Sequence, residues 1–271
     1  MEFTVGVDDI DKILGIGLNE NQITETLEKM RYSVKKMKGG KIVVGIPPYR
    51  SDVIHTVDIV EDVAIGYGYN NIEPILPKVA TIGGESEQEK FSRKIREIMI
   101  GLGFQEILSF ILTSRENNFS KMNIEGDCVE ILNPVSSEYN ICRTWILPSM
   151  LKILSSNKHR EYPQKIFEIG DTISIDEDQE TKTRQTRKLT GAISCDNANL
   201  TEMKSVVESL LKSLGYNYEI KEYGHPSFIE SRCGKIMVEG KEIGIFGEVH
   251  PKILESWKLE KPVIAFEIEV S

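Results

Sequence analysis

The chain has 271 residues, of which 40% are hydrophobic and 28% are charged, and its formal net charge is -9. This length allows two hydrophobic cores, and the acidic balance argues against a protein whose main role is non-specific binding of nucleic acid. No apolar run approaches the ~20 residues of a membrane-spanning helix and the acidic N-terminus lacks the features of a secretory signal, so we expect a cytoplasmic protein.

Residues 1–76 are predicted to form a small domain. A helix is expected in NENQITETLEKMRYSV, because Ile23, Leu27 and Met30 recur at helical spacing behind a capping Asn19 or Asn21. The run VKKMKGGKIVVGI predicts a hairpin that turns at its glycine pair, and another helix is expected to begin near residue 56. A helix followed by a hairpin indicates a winged-helix-like module of the helix-turn-helix type.

The segment IEPILPKVATIGGESEQ contains two prolines and a glycine pair without a steady period, and therefore predicts a linker with a domain boundary near residue 76. Residues 77–271 are expected to form a second domain. Its predicted helices are FSRKIREIMIGLGF, LPSMLKILSSNKH and TEMKSVVESLLKSLGY. The predicted strands are FQEILSFILT, VEILNP, KIFEIGDTISI, KLTGAIS, the hairpin KIMVEGKEIGIFGEV and PVIAFEIEV. Directly joined hairpins favour antiparallel pairing and an α+β fold.

The sequence offers no recognisable catalytic motif. It contains no phosphate-binding loop, nucleophile elbow, HExxH sequence or kinase signature. The four histidines are each next to a predicted turn or helix end, where a structural role is expected. The four cysteines lack zinc-ligand spacing, and we interpret them as buried thiols.

Four carboxylates occur within eleven residues of the run PPYRSDVIHTVDIVEDVAIGYGYN: Asp52, Asp58, Glu61 and Asp62. At 100° per residue, the last three are expected to share one helix face, opposite an apolar face. Oxygen donors without nitrogen or sulfur suit Mg²⁺, which binds one or two carboxylates and keeps several waters. The alternative is a solvated acidic face on which Arg50 pairs with Asp52.

A second candidate site is basic. Six lysines and arginines fall within the thirteen positions 29–41. The residues predicted to contact nucleic acid are Lys35, Lys36, Lys38 and Lys41. The alternative is a solvated helix end and hairpin.

The acidic run resembles the corresponding stretch of the β subunit of archaeal and eukaryotic phenylalanyl-tRNA synthetases. The similarity continues through GLGFQEILSFILTS, KIFEIGD, HPSFIESRCGKI and IGIFGEVHPKILE, and covers nearly the whole chain. It implies a small helix-turn-helix-like domain followed by a class II synthetase-like antiparallel sheet that has lost its active site. It also implies that Asp52, Asp58, Glu61 and Asp62 form a Mg²⁺ site shared with the α subunit.

In this family the α subunit activates phenylalanine with ATP. The resemblance therefore implies a chain that is inactive alone, joins the α subunit in an (αβ)₂ heterotetramer and supports tRNA. Nothing in the sequence corresponds to the family's N-terminal editing region, so we expect no editing and suspect an excised fragment, or else a naturally short paralogue.

Two alternatives come from other functional classes. One is a stand-alone nucleic-acid-binding regulator that uses the basic hairpin. The other, an independent small-molecule ligase, lacks nucleotide-binding residues in the sequence.

Overall fold

The computed structural model describes residues 1–76, 78 and 83–270. The chain divides into two compact units, unit 1 (residues 1–83) and unit 2 (residues 84–271). Residues 77 and 79–82 of the predicted linker lie outside the described residues. The boundary predicted near residue 76 stays a prediction.

Unit 1 combines a three-stranded antiparallel sheet with three α-helices. Its elements are β1 (Glu2–Gly6), α1 (Val7–Leu14), α2 (Glu20–Lys29), β2 (Ser33–Met37), β3 (Lys41–Gly45), α3 (Thr56–Tyr67) and a 3₁₀ turn (Tyr69–Asn71). The strand order is β1-β3-β2. One face of the sheet packs on the helices, and the core includes Ile10, Leu27, Ile42 and Ile59, all fully buried.

The local signals in unit 1 explain its elements. The side chain of Asn19 accepts the N–H of Gln22, and the side chain of Gln22 accepts the N–H of Asn19, so a capping box starts α2. Gly39 and Gly40 both have positive φ in the turn between β2 and β3. The predictions of α2, of the hairpin and of a helix starting at residue 56 are confirmed. The sequence reasoning missed β1, which completes the sheet, and α1.

Unit 2 is built on a seven-stranded sheet. Its helices are α4 (Glu87–Gly101), α5 (Arg115–Asn118), α6 (Leu147–Ser156), α7 (Leu200–Leu214) and α8 (Pro251–Ser256), with 3₁₀ turns at Ser120–Met122 and Ser137–Tyr139. Its strands are β4 (Gln105–Glu106), β5 (Leu112–Thr113), β6 (Ile141–Cys142), β7 (Gln164–Ile175), β8 (Thr183–Ser194), β9 (Tyr218–Glu222), β10 (Phe228–Val238), β11 (Lys241–Val249) and β12 (Val263–Glu269).

The strand order of the large sheet is β4-β7-β8-β12-β11-β10-β9, and β5 pairs separately with β6. The predicted α+β class is confirmed. The sheet is mixed, however, because β4 runs parallel to β7 while the other neighbouring pairs are antiparallel.

Helices cover both faces of this sheet. Phe167 and Ile264 pack with α4 and α7 on one face, whereas Ile166 and Ala265 pack with α6 and α8 on the other. This alternation follows from the period of two along a strand. Within the part of the chain that the structure describes, no helix has the length and apolar character needed to cross a membrane.

Two predicted strands are largely absent from the described structure. Of FQEILSFILT, only the short segments β4 and β5 pair, and in VEILNP only Glu130 forms a bridge, with Ile141. Between β4 and β5, the apolar side chains of Leu108 and Phe110 are 87% and 76% exposed. Periodicity indicates an apolar surface without saying what covers it.

Candidate functional site: the acidic cluster of unit 1

Asp58 is engaged at the start of its own helix. One of its oxygens, Oδ2, accepts the backbone N–H groups of Ile54 (2.9 Å) and His55 (2.7 Å). These two hydrogen bonds hold the pKa of Asp58 below its usual value, with the His55 bond the larger cause. His55 is the N-cap of α3, since its Nδ1 accepts the N–H of Val57 at 3.2 Å. Asp58 therefore stabilises the N-terminus of α3.

Asp62 lies inside unit 1. It is only 4% exposed, and it accepts a hydrogen bond from the hydroxyl of Tyr32. Burial, and then this bond, raises the pKa of Tyr32. The acids of α3 were predicted to share one helix face, but they differ in exposure: Asp62 is buried, Asp58 is partly exposed and Glu61 is exposed. A helical wheel cannot show that distant residues neutralise a carboxylate.

Arg50 joins two of the acids. Its Nε and Nη2 donate to Oδ1 and Oδ2 of Asp52 at 2.9 Å and 2.8 Å, and its Nη1 lies 2.8 Å from Oδ2 of Asp62. The guanidinium is also 5.8 Å from the ring centroid of Tyr32. We call these four residues the arginine bridge. The hydrogen bonds from Arg50 lower the pKa of Asp52, and those to Asp52 and Asp62 raise the pKa of Arg50.

The donor set suits Mg²⁺ chemically, but its arrangement does not fit a four-carboxylate centre. Among the described residues, no group of three or more His, Cys, Asp or Glu side chains is placed to hold a metal ion. Asp52 and Asp62 face the guanidinium of Arg50, Asp58 caps α3, and Glu61 is exposed. In this chain the local cation is an arginine.

The four predicted lysines do not share one surface. Lys35 and Lys41 lie on the open face of the three-stranded sheet, and Nζ of Lys35 is 3.9 Å from the carboxylate of Glu2. Lys36 projects toward the helices, where it contacts Asn21 and lies 3.6 Å from Glu20. Lys38 lies in the exposed turn. Two of the four lysines therefore have acidic neighbours within unit 1.

Unit 2 contains a buried polar network that the sequence reasoning did not identify. Arg143 and Glu168 are each 1% exposed and form an ion pair at 2.8 Å. Ser109 accepts from Nη1 of Arg143 (2.7 Å) and donates to Oε2 of Glu168 (2.6 Å), while Nε of Arg143 donates to the carbonyl of Asp171 (2.9 Å). The signal was available: a lone acid inside the apolar run KIFEIG predicts a paired, buried charge.

Glu267 is a second buried acid with several partners. Its Oε2 accepts the N–H groups of Ile146 (2.8 Å) and Leu147 (3.1 Å) and the hydroxyl of Thr190 (3.0 Å). Its Oε1 accepts from Lys188 at 2.9 Å. A carboxylate from β12 thus caps the N-terminus of α6, which ties the helix to the sheet.

Comparisons with known proteins agree with the order of the two units. Residues 3–69 match the tRNA synthetase B5 domain, and residues 72–270 match the phenylalanyl tRNA synthetase beta chain CLM domain. The acidic cluster, which consists of Asp52, Asp58, Glu61 and Asp62, falls within the first match. The buried polar network of Arg143 and Glu168 falls within the second.

Curated relatives are similar over 98% of this chain. Two are phenylalanine–tRNA ligase beta subunits of Pyrococcus furiosus (47% identical) and Pyrococcus horikoshii (48%), and a third is from Methanococcus maripaludis (41%). The chain spans about half the length of these relatives, 48% to 49%. Because the second domain match alone covers more than half of its residues, this chain belongs to the family of phenylalanyl-tRNA synthetase beta chains.

Proposed function

We propose that this chain is a non-catalytic part of a phenylalanine–tRNA ligase β subunit. It supports the ATP-dependent attachment of phenylalanine to its tRNA, carried out by an α subunit in a cytoplasmic (αβ)₂ heterotetramer. The observation that carries this proposal is the similarity to β subunits, which extends over 98% of the chain and through both domains in order. ATP is used by the α subunit, and tRNA is the shared substrate.

Two buried carboxylates of unit 2, those of Glu168 and Glu267, are engaged within the chain and are not candidates for a catalytic acid or base. Both oxygens of Glu168 and both oxygens of Glu267 already accept hydrogen bonds from this chain. A catalytic carboxylate needs an oxygen that reaches substrate or metal. We also propose that unit 2 is a class II synthetase-like domain and that unit 1 is a winged-helix-like module; the helix-flanked sheet of each unit supports this assignment.

An exposed apolar surface in unit 2 is the proposed docking site of the α subunit. Residues 111–113 pair with residues 140–143, which in turn pair with residues 129–131. Large side chains on and beside these segments face solvent, with exposures of 87% for Leu108, 76% for Phe110, 92% for Leu132 and 106% for Val135. Such a surface is typical of a subunit interface rather than of a free surface.

The predicted Mg²⁺ site is a separate proposal. We propose Asp52, Asp58, Glu61 and Asp62 as the residues from which a shared site draws its carboxylates, since Mg²⁺ needs only one or two of them. When bound, the ion would supply positive charge that offsets the carboxylates of this set. Asp58 and Glu61 are the members of this set that Arg50 does not contact.

Light scattering on a sizing column tests the assembly. We expect the chain to form a larger complex with an archaeal phenylalanine–tRNA ligase α subunit, and expect that F110S together with L132S abolishes it. A matched control is I175S, which replaces an apolar residue that is 46% exposed at the end of β7. Unchanged elution of the mixture contradicts the assembly role, and ATP–pyrophosphate exchange by the chain alone contradicts the non-catalytic role.

A further inference from the structure

We infer that Arg50 is the resident counter-ion of Asp52 and Asp62, so that unit 1 folds without a divalent cation. A metal ion reaches Asp52 and Asp62 only when this guanidinium leaves them. In the arginine bridge, the Arg50 side chain makes a bidentate contact with Asp52 and a 2.8 Å contact with Asp62. Such bidentate pairs are the strongest arginine–carboxylate contacts.

Burial makes this contact necessary. Asp62 is 4% exposed, and the hydroxyl of Tyr32 supplies a single hydrogen bond and no positive charge. A buried carboxylate without a cation is strongly unfavourable. Arg50 supplies the missing charge, and its position over the ring of Tyr32 adds a cation–π contact.

The bridge also links three parts of the unit. Tyr32 follows α2, Arg50 and Asp52 lie in the segment between β3 and α3, and Asp62 lies on α3. The guanidinium therefore fixes the segment that carries Asp52 against the two helices. An ion that binds Asp52 and Asp62 must replace both this charge and this link.

One consequence concerns the assembled enzyme and rests on the proposed function. Because Arg50 already neutralises Asp52 and Asp62, the chain alone gains little from Mg²⁺. In the proposed complex, these two acids become available to a metal ion only where Arg50 has left them.

The test compares the wild-type chain with R50Q in EDTA and in millimolar Mg²⁺. Thermal unfolding of unit 1 is followed by hydrogen exchange in α2 and α3. Trp145 and Trp257 both belong to unit 2, so their fluorescence serves as an internal reference. The matched control is K29Q, which removes an exposed cation from the last turn of α2.

We expect the wild-type melting temperature of unit 1 to change by less than about 1 °C with Mg²⁺. In EDTA, R50Q is expected to melt about 5 °C or more below wild type, because a buried charge loses its partner, and Mg²⁺ is expected to restore much of this loss. K29Q should behave like wild type. R50K, which keeps the charge but cannot bind both Asp52 oxygens in a fork, is expected to fall between the two and replaces R50Q if that variant does not fold.

The counter-ion role of Arg50 and its exclusion of Mg²⁺ from Asp52 and Asp62 are contradicted by different results. Equal melting of R50Q and wild type in EDTA overturns the counter-ion role. A wild-type chain that gains several degrees in Mg²⁺ overturns the claim that Arg50 excludes the ion. Loss of stability in R50Q without rescue by Mg²⁺ leaves the counter-ion role standing and counts against the proposed metal site alone.

Discussion

Glu267 shows how a single buried residue controls its surroundings in unit 2. E267A removes the acceptor for two N–H groups of α6 and the partner of Lys188, and leaves these groups buried. We expect a loss of about 3 to 5 kcal/mol in the free energy of unfolding. The measurement is urea denaturation followed by tryptophan fluorescence.

The matched control lies two residues further along the chain. Glu269 is 25% exposed and its contact with Arg184 is 3.6 Å long, so E269A should cost less than about 1 kcal/mol. Equal effects of the two substitutions would show that Glu267 has no special role in capping α6.

His225 gives unit 2 a pH-dependent contribution to stability. It contacts Trp145, Tyr223 and Phe228, and its Nδ1 accepts the N–H of Ser227 at 3.2 Å. Burial lowers the pKa of His225, so the folded state prefers the neutral ring. The unfolded chain binds the proton first as pH falls.

Stability from His225 is therefore complete above the ordinary histidine pKa of about 6.5 and decreases as pH falls toward the lower folded value. As pH falls through this range, we expect the melting temperature of unit 2 to decrease more in wild type than in H225N. The asparagine amide oxygen can accept the N–H of Ser227 but does not titrate. Parallel pH profiles for the two proteins would contradict this expectation.

Sequence correctly predicts the role of a single residue where its hydrogen-bond partner lies a few positions away in the chain. Asn19 caps α2, and His55 and His250 cap α3 and α8, in line with a structural role at helix ends. Cys128, Cys142 and Cys233 are buried as predicted, and Cys195 is partly exposed. Asp62 was misplaced because its partners, Tyr32 and Arg50, are 30 and 12 positions away along the chain.

Gly66 in α3 and Gly101 in α4 differ in the space around them. A methyl group added at Gly66 in α3 would lie 2.7 Å from Cγ2 and 3.3 Å from the carbonyl oxygen of Thr26 in α2. Alanine normally favours a helix by up to about 1 kcal/mol, but overpacking costs about 1 to 3 kcal/mol. We expect G66A to be destabilising overall, as measured by hydrogen exchange in α2 and α3.

Gly101, the last residue of α4, is the control for this prediction. A methyl group there meets no atom within 4 Å, so G101A should be neutral or stabilising by up to about 1 kcal/mol. If G66A were as well tolerated as G101A, close packing of α2 on α3 would not be what requires a glycine at position 66.

Element predictions depended on strong local signals. Capping, apolar stripes and glycine turns identified α2, α7 and the β2–β3 hairpin, because these signals act over a few residues. The strand predicted over residues 104–113 is reduced to the short strands β4 and β5, and between them Leu108 and Phe110 face solvent. A strand needs a neighbour, and sequence alone does not provide one.

For the whole molecule, the net charge of -9 means that any contact with tRNA must be local. Lys38 and Lys41 are exposed, so K38Q with K41Q is expected to weaken tRNA binding by the proposed heterotetramer. Its salt dependence should also become less steep, by about one unit of slope for each phosphate that the hairpin no longer binds. Binding with an unchanged slope would exclude the hairpin from the interface.

The sequence by itself determined the family, the α+β class and the approximate positions of α2, α3, α4, α6 and α7, because these follow from motifs and short-range periodicity. Tertiary structure decided how the charges are used. It brought Asp62 to the guanidinium of Arg50, buried Arg143 against Glu168, and set Glu267 at the start of α6. These pairings join positions far apart in the chain. The low polarity of a core strengthens such charge pairs and hydrogen bonds only after the fold has brought the partners together.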